Sequence, residues 1–196
     1  MNIPRACLAG AIFGFMLVAG GCVSAVKTTD KDVSLQAEVY RSLVASSVVD
    51  NWPPISAQAA RRLIEQYGVP DAVRYDRLTW RDNGPWKRTV VRDVTPPYVQ
   101  AEDLGVVEQT VEYALTPRQA ADLALFDGRL DYDASRGELS ARSDREEVNY
   151  LRLNLANDIV KRLMTPEQAR ALYAQILRLE ASGKSSSYLQ VLNFPR

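Results

Sequence analysis

Residues 78–93 read LTWRDNGPWKRTVVRD. Two runs rich in Thr, Trp and Val, Leu78 to Arg81 and Lys87 to Asp93, flank Asp82-Asn83-Gly84-Pro85. Asn-Gly readily supplies the positive φ angles of a tight hairpin. A tight hairpin joins antiparallel neighbours, whereas parallel strands need a crossover of a dozen or more residues, so this stretch sets the class of the sheet.

Working outward, the apolar spacing Val33, Leu35, Val39, Leu43, Val44 predicts a helix to about Ser47, broken by Asp50-Asn51-Trp52-Pro53-Pro54. Ser56 reads as the N-cap of a second helix through Leu63 and Ile64 to Tyr67, stopped by Gly68. Downstream, Val107, Gln109, Val111 and Tyr113 alternate with Glu108, Thr110 and Glu112, the pattern of a half-exposed strand. Between it and the hairpin, Pro96-Pro97 opens a loop. Thr116-Pro117 caps a helix to Phe126. Arg129–Asp133 and Glu138–Arg142 form a second hairpin around Ala134-Ser135-Arg136-Gly137. Ser143 or Asp144 caps a long helix with an apolar stripe of Val148, Leu151, Leu155, Ile159 and Leu163, and Glu146 and Glu147 in its first turn complement the helix dipole. Thr165-Pro166-Glu167 opens a last helix through Leu179. The expected architecture is α+β: an antiparallel sheet of two hairpins and one further strand, covered by helices, with a C-terminal helical pair.

The N-terminus reads as an address. MNIPRACLAGAIFGFMLVAGGC has one cation at Arg5, an apolar run from Ala6 to Ala19 and then small residues up to Cys22. This is the layout of a secretory signal peptide, and its core of about 14 residues is shorter than the roughly 20 that cross a bilayer. Val18-Ala19-Gly20-Gly21-Cys22 resembles a bacterial lipoprotein box, in which the cysteine is diacylated and becomes the new N-terminus. Cleavage after Ala25, at Val23-Ser24-Ala25, is the alternative. The resemblance implies lipidation of Cys22 and, with Val23 following it, anchorage to the periplasmic leaflet of the outer membrane. The expected organisation is a leader at 1–21, a lipidated tether at 22–30, one α+β domain at 31–181 and a flexible C-terminal tail at 182–196.

Composition narrows the chemistry. The chain of 196 residues has 24 Lys and Arg, 24 Asp and Glu, and no histidine. No Ser-His-Asp triad, His-ligated zinc or imidazole base can be built. Balanced charge argues against a nucleic-acid footprint. Of the two cysteines, Cys7 leaves with the leader and Cys22 takes lipid, so the folded part has no thiol for a disulfide, a nucleophile or a metal.

Asp131-Tyr132-Asp133-Ala134-Ser135 opens like a calcium loop, but Arg136 stands where glycine is needed and Arg142 where the bidentate Glu belongs. Asp127, Asp131, Asp133, Glu138, Asp144 and Glu147 supply carboxylates without a pattern that places two in one cleft. Asn149, Asn154, Asn157 and Asp158 read as groups bonding loop backbone or water. No cofactor and no metal are expected. Trp80, on a strand, reads as core. Trp86, just past the hairpin tip, and Trp52 are the candidate partner-binding side chains, because aromatic residues are enriched at interfaces.

Residues 63–80, LIEQYGVPDAVRYDRLTW, in their order of helix, Gly-x-Pro, strand and Trp, resemble the start of small outer-membrane lipoprotein domains of the BamE/SmpA type. Asn83–Arg88, Phe126–Gly128, Gly137–Arg142 and Asn154–Ile159 are similar to secreted bacterial proteins of unassigned function. The resemblances imply a coherent domain and leave its role open. With the anchor expected at Cys22, which would confine the domain near partners, the expected function is a non-enzymatic envelope lipoprotein that engages an envelope protein partner. The alternative is a periplasmic small-ligand-binding protein or a carboxylate-dependent hydrolase.

Overall fold

The computed structural model describes residues 30–94 and 105–195. The leader at 1–21, Cys22, the tether as far as Thr29 and the Pro96-Pro97 loop lie outside the described residues. The elements run α1 (Asp30–Val49), α2 (Pro54–Tyr67), β1 (Ala72–Arg74), β2 (Arg77–Asn83), β3 (Trp86–Arg92), β4 (Val107–Glu112), α3 (Pro117–Phe126), β5 (Leu130–Asp133), β6 (Glu138–Ser143), α4 (Glu146–Val160) and α5 (Pro166–Ala181), followed by a 3-10 turn at Ser187–Leu189.

The α+β class holds, with a six-stranded sheet in the order β1-β2-β3-β4-β6-β5 and every neighbouring pair antiparallel. Both expected hairpins form. The first differs in its tip: Asn83 pairs with Trp86, so Gly84 and Pro85 are the two loop residues, and the positive φ angles fall at Gly84 (58°) and Asp82 (48°), not at Asn83. Glycine at the first loop position is the alternative two-residue solution to strand twist. β1 is a sixth strand that the sequence does not announce, since three residues are too short to show alternation.

Opposed residues of an antiparallel pair share a face, so the register divides the sheet cleanly. Leu78, Trp80, Val91, Val107, Val111, Leu139 and Ala141 point to the helices. They build two adjoining cores. Ala45, Val49, Trp52 and α2 cover β2 and β3; α4 covers β4 and β6, α3 reaches β5, and α5 packs on α3 and α4. Tyr67 packs against both.

Three local expectations need correction. Ser56 is not the cap of α2: the helix starts two residues earlier behind Pro53, and buried Ser56 instead accepts the Val94 N–H through its Oγ at 3.1 Å. Arg145 occupies the N-cap of α4 without a side-chain bond, while Ser143 Oγ accepts its N–H and donates to its carbonyl. Leu163 lies beyond the end of α4 and is 70% exposed. Thr116 and Thr165 cap α3 and α5 as expected, each with a reciprocal Gln three residues on.

The tail is docked, not free. Asn154, fully buried on α4, donates from Nδ2 to the Tyr188 and Val191 carbonyls at 3.1 and 2.8 Å and accepts the Asn193 N–H at 2.7 Å. Tyr188 donates to Asp158 at 2.6 Å, and Leu189 and Phe194 enter the core. The serine run at 182–187 hides this from the sequence, because the residues that hold the tail sit on α4. Asn154→Ala leaves three backbone groups without their partner, so urea unfolding is expected to show a loss of about 2 to 3 kcal/mol, and limited proteolysis to remove the tail from the variant before any other cut.

Candidate functional site

Trp86 and Trp52 do not form a surface. Trp86 is fully buried, stacks at 4.8 Å on Tyr150 and donates its Nε1–H to Glu146; Trp52 is 7% exposed and donates to the Tyr75 carbonyl at 2.9 Å. Both indole N–H groups are satisfied within the fold, so the aromatic area near the first hairpin belongs to its core.

Glu146 is the group that the sequence undervalues. Its Oε1 accepts from Tyr67 Oη at 2.5 Å, from Gln109 Nε2 at 2.8 Å and from Trp86 Nε1, while Oε2 accepts from Gln66 Nε2 at 2.7 Å. Gln109 is itself fixed by Asn149, which donates to its Oε1 at 3.0 Å. Three donors converge on Oε1 and one on Oε2, so this carboxylate ties α2, β3 and β4 to the start of α4. Burial, reinforced by the Glu146 hydrogen bond and charge, pushes the Tyr67 hydroxyl well above its ordinary range; burial first, and then the Glu146 charge, does the same for Tyr150.

The far face of the sheet has no helix against it among the described residues. It is a lattice of ions. Arg74, Arg77, Arg81, Arg88 and Arg92 line β1 to β3, and Glu108, Glu112, Glu138, Asp131 and Asp133 line β4, β6 and β5, with Arg142 among them. The alternation predicts β4 half exposed, yet Glu108 and Thr110 are buried, as is Glu138 on the neighbouring β6. Long cationic side chains from neighbouring strands lie across them. Arg142 Nε and Arg92 Nη2 reach Glu108 at 2.8 and 3.2 Å; Arg88 and Lys87 reach Glu138 at 3.2 and 3.4 Å; Thr110 and Ser140 bond to each other at 2.9 Å between them. Arg74 and Arg81 stand exposed at the open end.

Of the other carboxylates considered from sequence, Asp127 and Asp144 line one cleft and the rest are dispersed. Asp127 takes Arg152 Nε at 2.7 Å in a buried pair, and Arg152 also lies 5.3 Å from the Tyr173 ring centroid. Asp133 caps its own turn through Ser135 Oγ and backbone N–H groups, which hold its carboxyl below the usual range. Asp131 faces solvent, and Glu147 keeps one buried oxygen without a partner. No group of three or more His, Cys, Asp or Glu among the described residues is placed to hold a metal ion.

Three clefts of similar size are present among the described residues. One, of about 470 Å³, is lined by Asp127, Arg129, Asp144, Arg145, Arg152 and Tyr173. One of about 500 Å³ lies between Arg92, Arg129, Leu130, Asp131 and Arg142, with Gly105 and Gly128 in its lining. Another of about 460 Å³ opens between the capped starts of α3 and α5 and the end of α4, against Ile159, Leu163 and Met164. The sequence carries a trace of the charged face in its alternation of Arg88-x-Val90-x-Arg92 with Glu108-x-Thr110-x-Glu112. The Glu146 cluster leaves none, because its members are 37 to 80 residues from Glu146.

Compared with family models, curated proteins and solved structures, the chain matches none of them. No helix among the described residues is long and apolar enough to cross a membrane.

Glu146→Gln places an NH2 group against other donors, and chemical denaturation is expected to show a loss of about 2 to 3 kcal/mol together with a changed near-ultraviolet signal from Trp86. The tyrosines fix the alkaline limit. Raised folded-state values mean that stability is complete below the unfolded tyrosine value of 10.0 and is lost as pH rises through the folded ones. Tyr188, pushed up to about 12 chiefly by its bond to Asp158, adds to the same loss. The melting temperature should therefore fall steeply above pH 10, and Tyr67→Phe should flatten that fall while lowering stability at neutral pH.

Proposed function

We propose that this is a lipid-anchored cell-envelope protein, non-enzymatic, whose domain engages a protein partner at the periplasmic face of the outer membrane. The observation that supports it best is the uncovered sheet face. It carries fixed charges of both signs: Arg74 and Arg81 are exposed on β1 and β2, and the paired carboxylates Glu108 and Glu138 lie beyond β3 on β4 and β6. Such a face suits recognition of another macromolecule by charge complementarity more than turnover of a small molecule. The carboxylates Glu108, Glu138, Glu146 and Asp127 are each engaged by cations or donors, which disfavours their use as acid or base. Anchorage through Cys22, read from Val18–Cys22, would confine the domain near envelope partners and raise their effective concentration.

A second reading rests on the arginine cleft. Arg92, Arg129 and Arg142 around about 500 Å³ fit a small anionic ligand, and a periplasmic binding protein is the function that follows.

A photo-crosslinking residue at Arg81 in living cells, compared with one at exposed Gln175 on α5, separates the two. The partner reading expects one envelope protein to be captured from position 81 and not from 175, with capture lost in Cys22→Ala. Equal background from both positions, together with a thermal shift of the purified protein by small dicarboxylates or phosphate that Arg142→Ala removes, would replace it with the ligand reading.

A further inference from the structure

The first half of α1 projects from the domain. Its last turns are held by Ala45 and Val49, each 1% exposed, against α2 and β1, but residues 34–41 are exposed on every side. Four of the eight large apolar side chains exposed among the described residues lie on this one helix: Leu35 (51%), Val39 (59%), Tyr40 (69%) and Leu43 (66%). Leu35, Val39 and Leu43 recur at four-residue spacing and make a stripe about 12 Å long. The stripe lies about a quarter turn to one side of the line of Ala45 and Val49, and its side chains are exposed. Ala37 and Arg41 lie on the opposite side.

A short helical arm without cover is marginal in water, and something must dry this stripe. We infer that its occupant is the bilayer surface to which the protein is anchored, an inference that rests on lipidation of Cys22. Seven residues, Val23 to Thr29, separate Cys22 from the first residue of α1. Fully extended they span at most about 25 Å, so an anchored cysteine keeps α1 beside the headgroups. Tyr40 on the flank of the stripe is a residue type favoured at that depth. The charges of α1, Asp30, Lys31, Asp32, Glu38 and Arg41, nearly cancel, so neither strong attraction to nor repulsion from lipid headgroups competes with burial of the stripe. A second copy is the poorer occupant: four side chains fall far short of the roughly 800 Å² per partner of a standard interface. A bilayer needs no complementary shape, and the acyl chains have already brought it close.

The test uses the full protein purified from membranes. Mass spectrometry of its N-terminal peptide reports the anchor separately from the stripe. With Cys7 removed and Cys22 acylated, an engineered thiol is the sole labelling site. An environment-sensitive fluorophore is attached in Leu35→Cys, Val39→Cys, Ala37→Cys and Arg41→Cys, and each protein is placed in vesicles of phosphatidylethanolamine and phosphatidylglycerol. The expected result is a several-fold, blue-shifted gain at 35 and 39, quenched by acyl-chain nitroxides, with 37 and 41 unchanged. A probe at Tyr40→Cys should lose its gain when Leu35, Val39 and Leu43 are changed to serine, although the anchored protein stays in the membrane fraction. Equal signals on both sides of α1 with Cys22 acylated overturn the stripe inference alone. A one-sided gain that fades as protein is diluted in lipid overturns it in favour of a second copy. An N-terminal peptide without acyl groups overturns the anchor and the inference with it.

Discussion

A single carboxylate, Glu146 at the start of α4, fastens three other elements at one point. Its two oxygens take donors from α2, β3 and β4, and two of those donors, Tyr67 and Trp86, also pack in the cores. The hairpin tip is fixed by the same cluster. A side chain at Gly84 would meet the Tyr67 ring at 3.2 Å, so glycine there serves both the positive φ of the turn and the approach of Tyr67 to the carboxylate. Negative charge at a helix N-terminus is favourable in itself; here that preference is joined to four hydrogen bonds, which makes the helix start the junction of the sheet and α2.

The remaining architecture follows from a division of labour between faces. One side of the sheet is apolar and meets helices. The other is polar but not bare, because arginine stems cover Glu108, Glu138 and Thr110 and leave little of that floor in contact with water. The polar cluster on β4 is thereby buried with its partners made, which avoids the penalty of an isolated charge in a poorly solvated place. The protein is a one-sided α+β unit with an ionic outer face and a helical arm.

Local signals carried most of the fold. Both hairpins, the strand after the Pro96-Pro97 loop and the Thr-Pro starts of α3 and α5 rest on rules that act within a few residues, and they stand; the Val148–Ile159 stripe marks the helix but not its setting, because α4 is buried on every side from Val148 to Ile159. What misled were side chains whose partners are distant. Ser56 looks like a cap but answers Val94 across the sheet end. Trp86 looks like a tip residue, yet Asp82 breaks the Asp82–Lys87 step of the ladder with its positive φ, and Trp86 is turned into the core. The tail looks like a linker because its composition is all it shows, whereas Asn154 holds it from forty residues upstream. Glu146 reads as a dipole complement, which is true and incomplete. The outer face was half legible as alternation, but that β4 is central and roofed by arginines depends on which strands flank it, and no spacing records that.

The order in which the chain supplies the Glu146 cluster has a kinetic side. Gln66 and Tyr67 precede the carboxylate by 80 and 79 residues, and Trp86 by 60. A chain that emerges N-terminus first has α2 and the first hairpin long before the group that locks them together exists. β4 likewise waits for β6, its neighbour beyond the later hairpin. Closure of such distant contacts is slow relative to helix formation. The junction of α2 and the first hairpin with the start of α4 therefore closes only after much of the second half has been made.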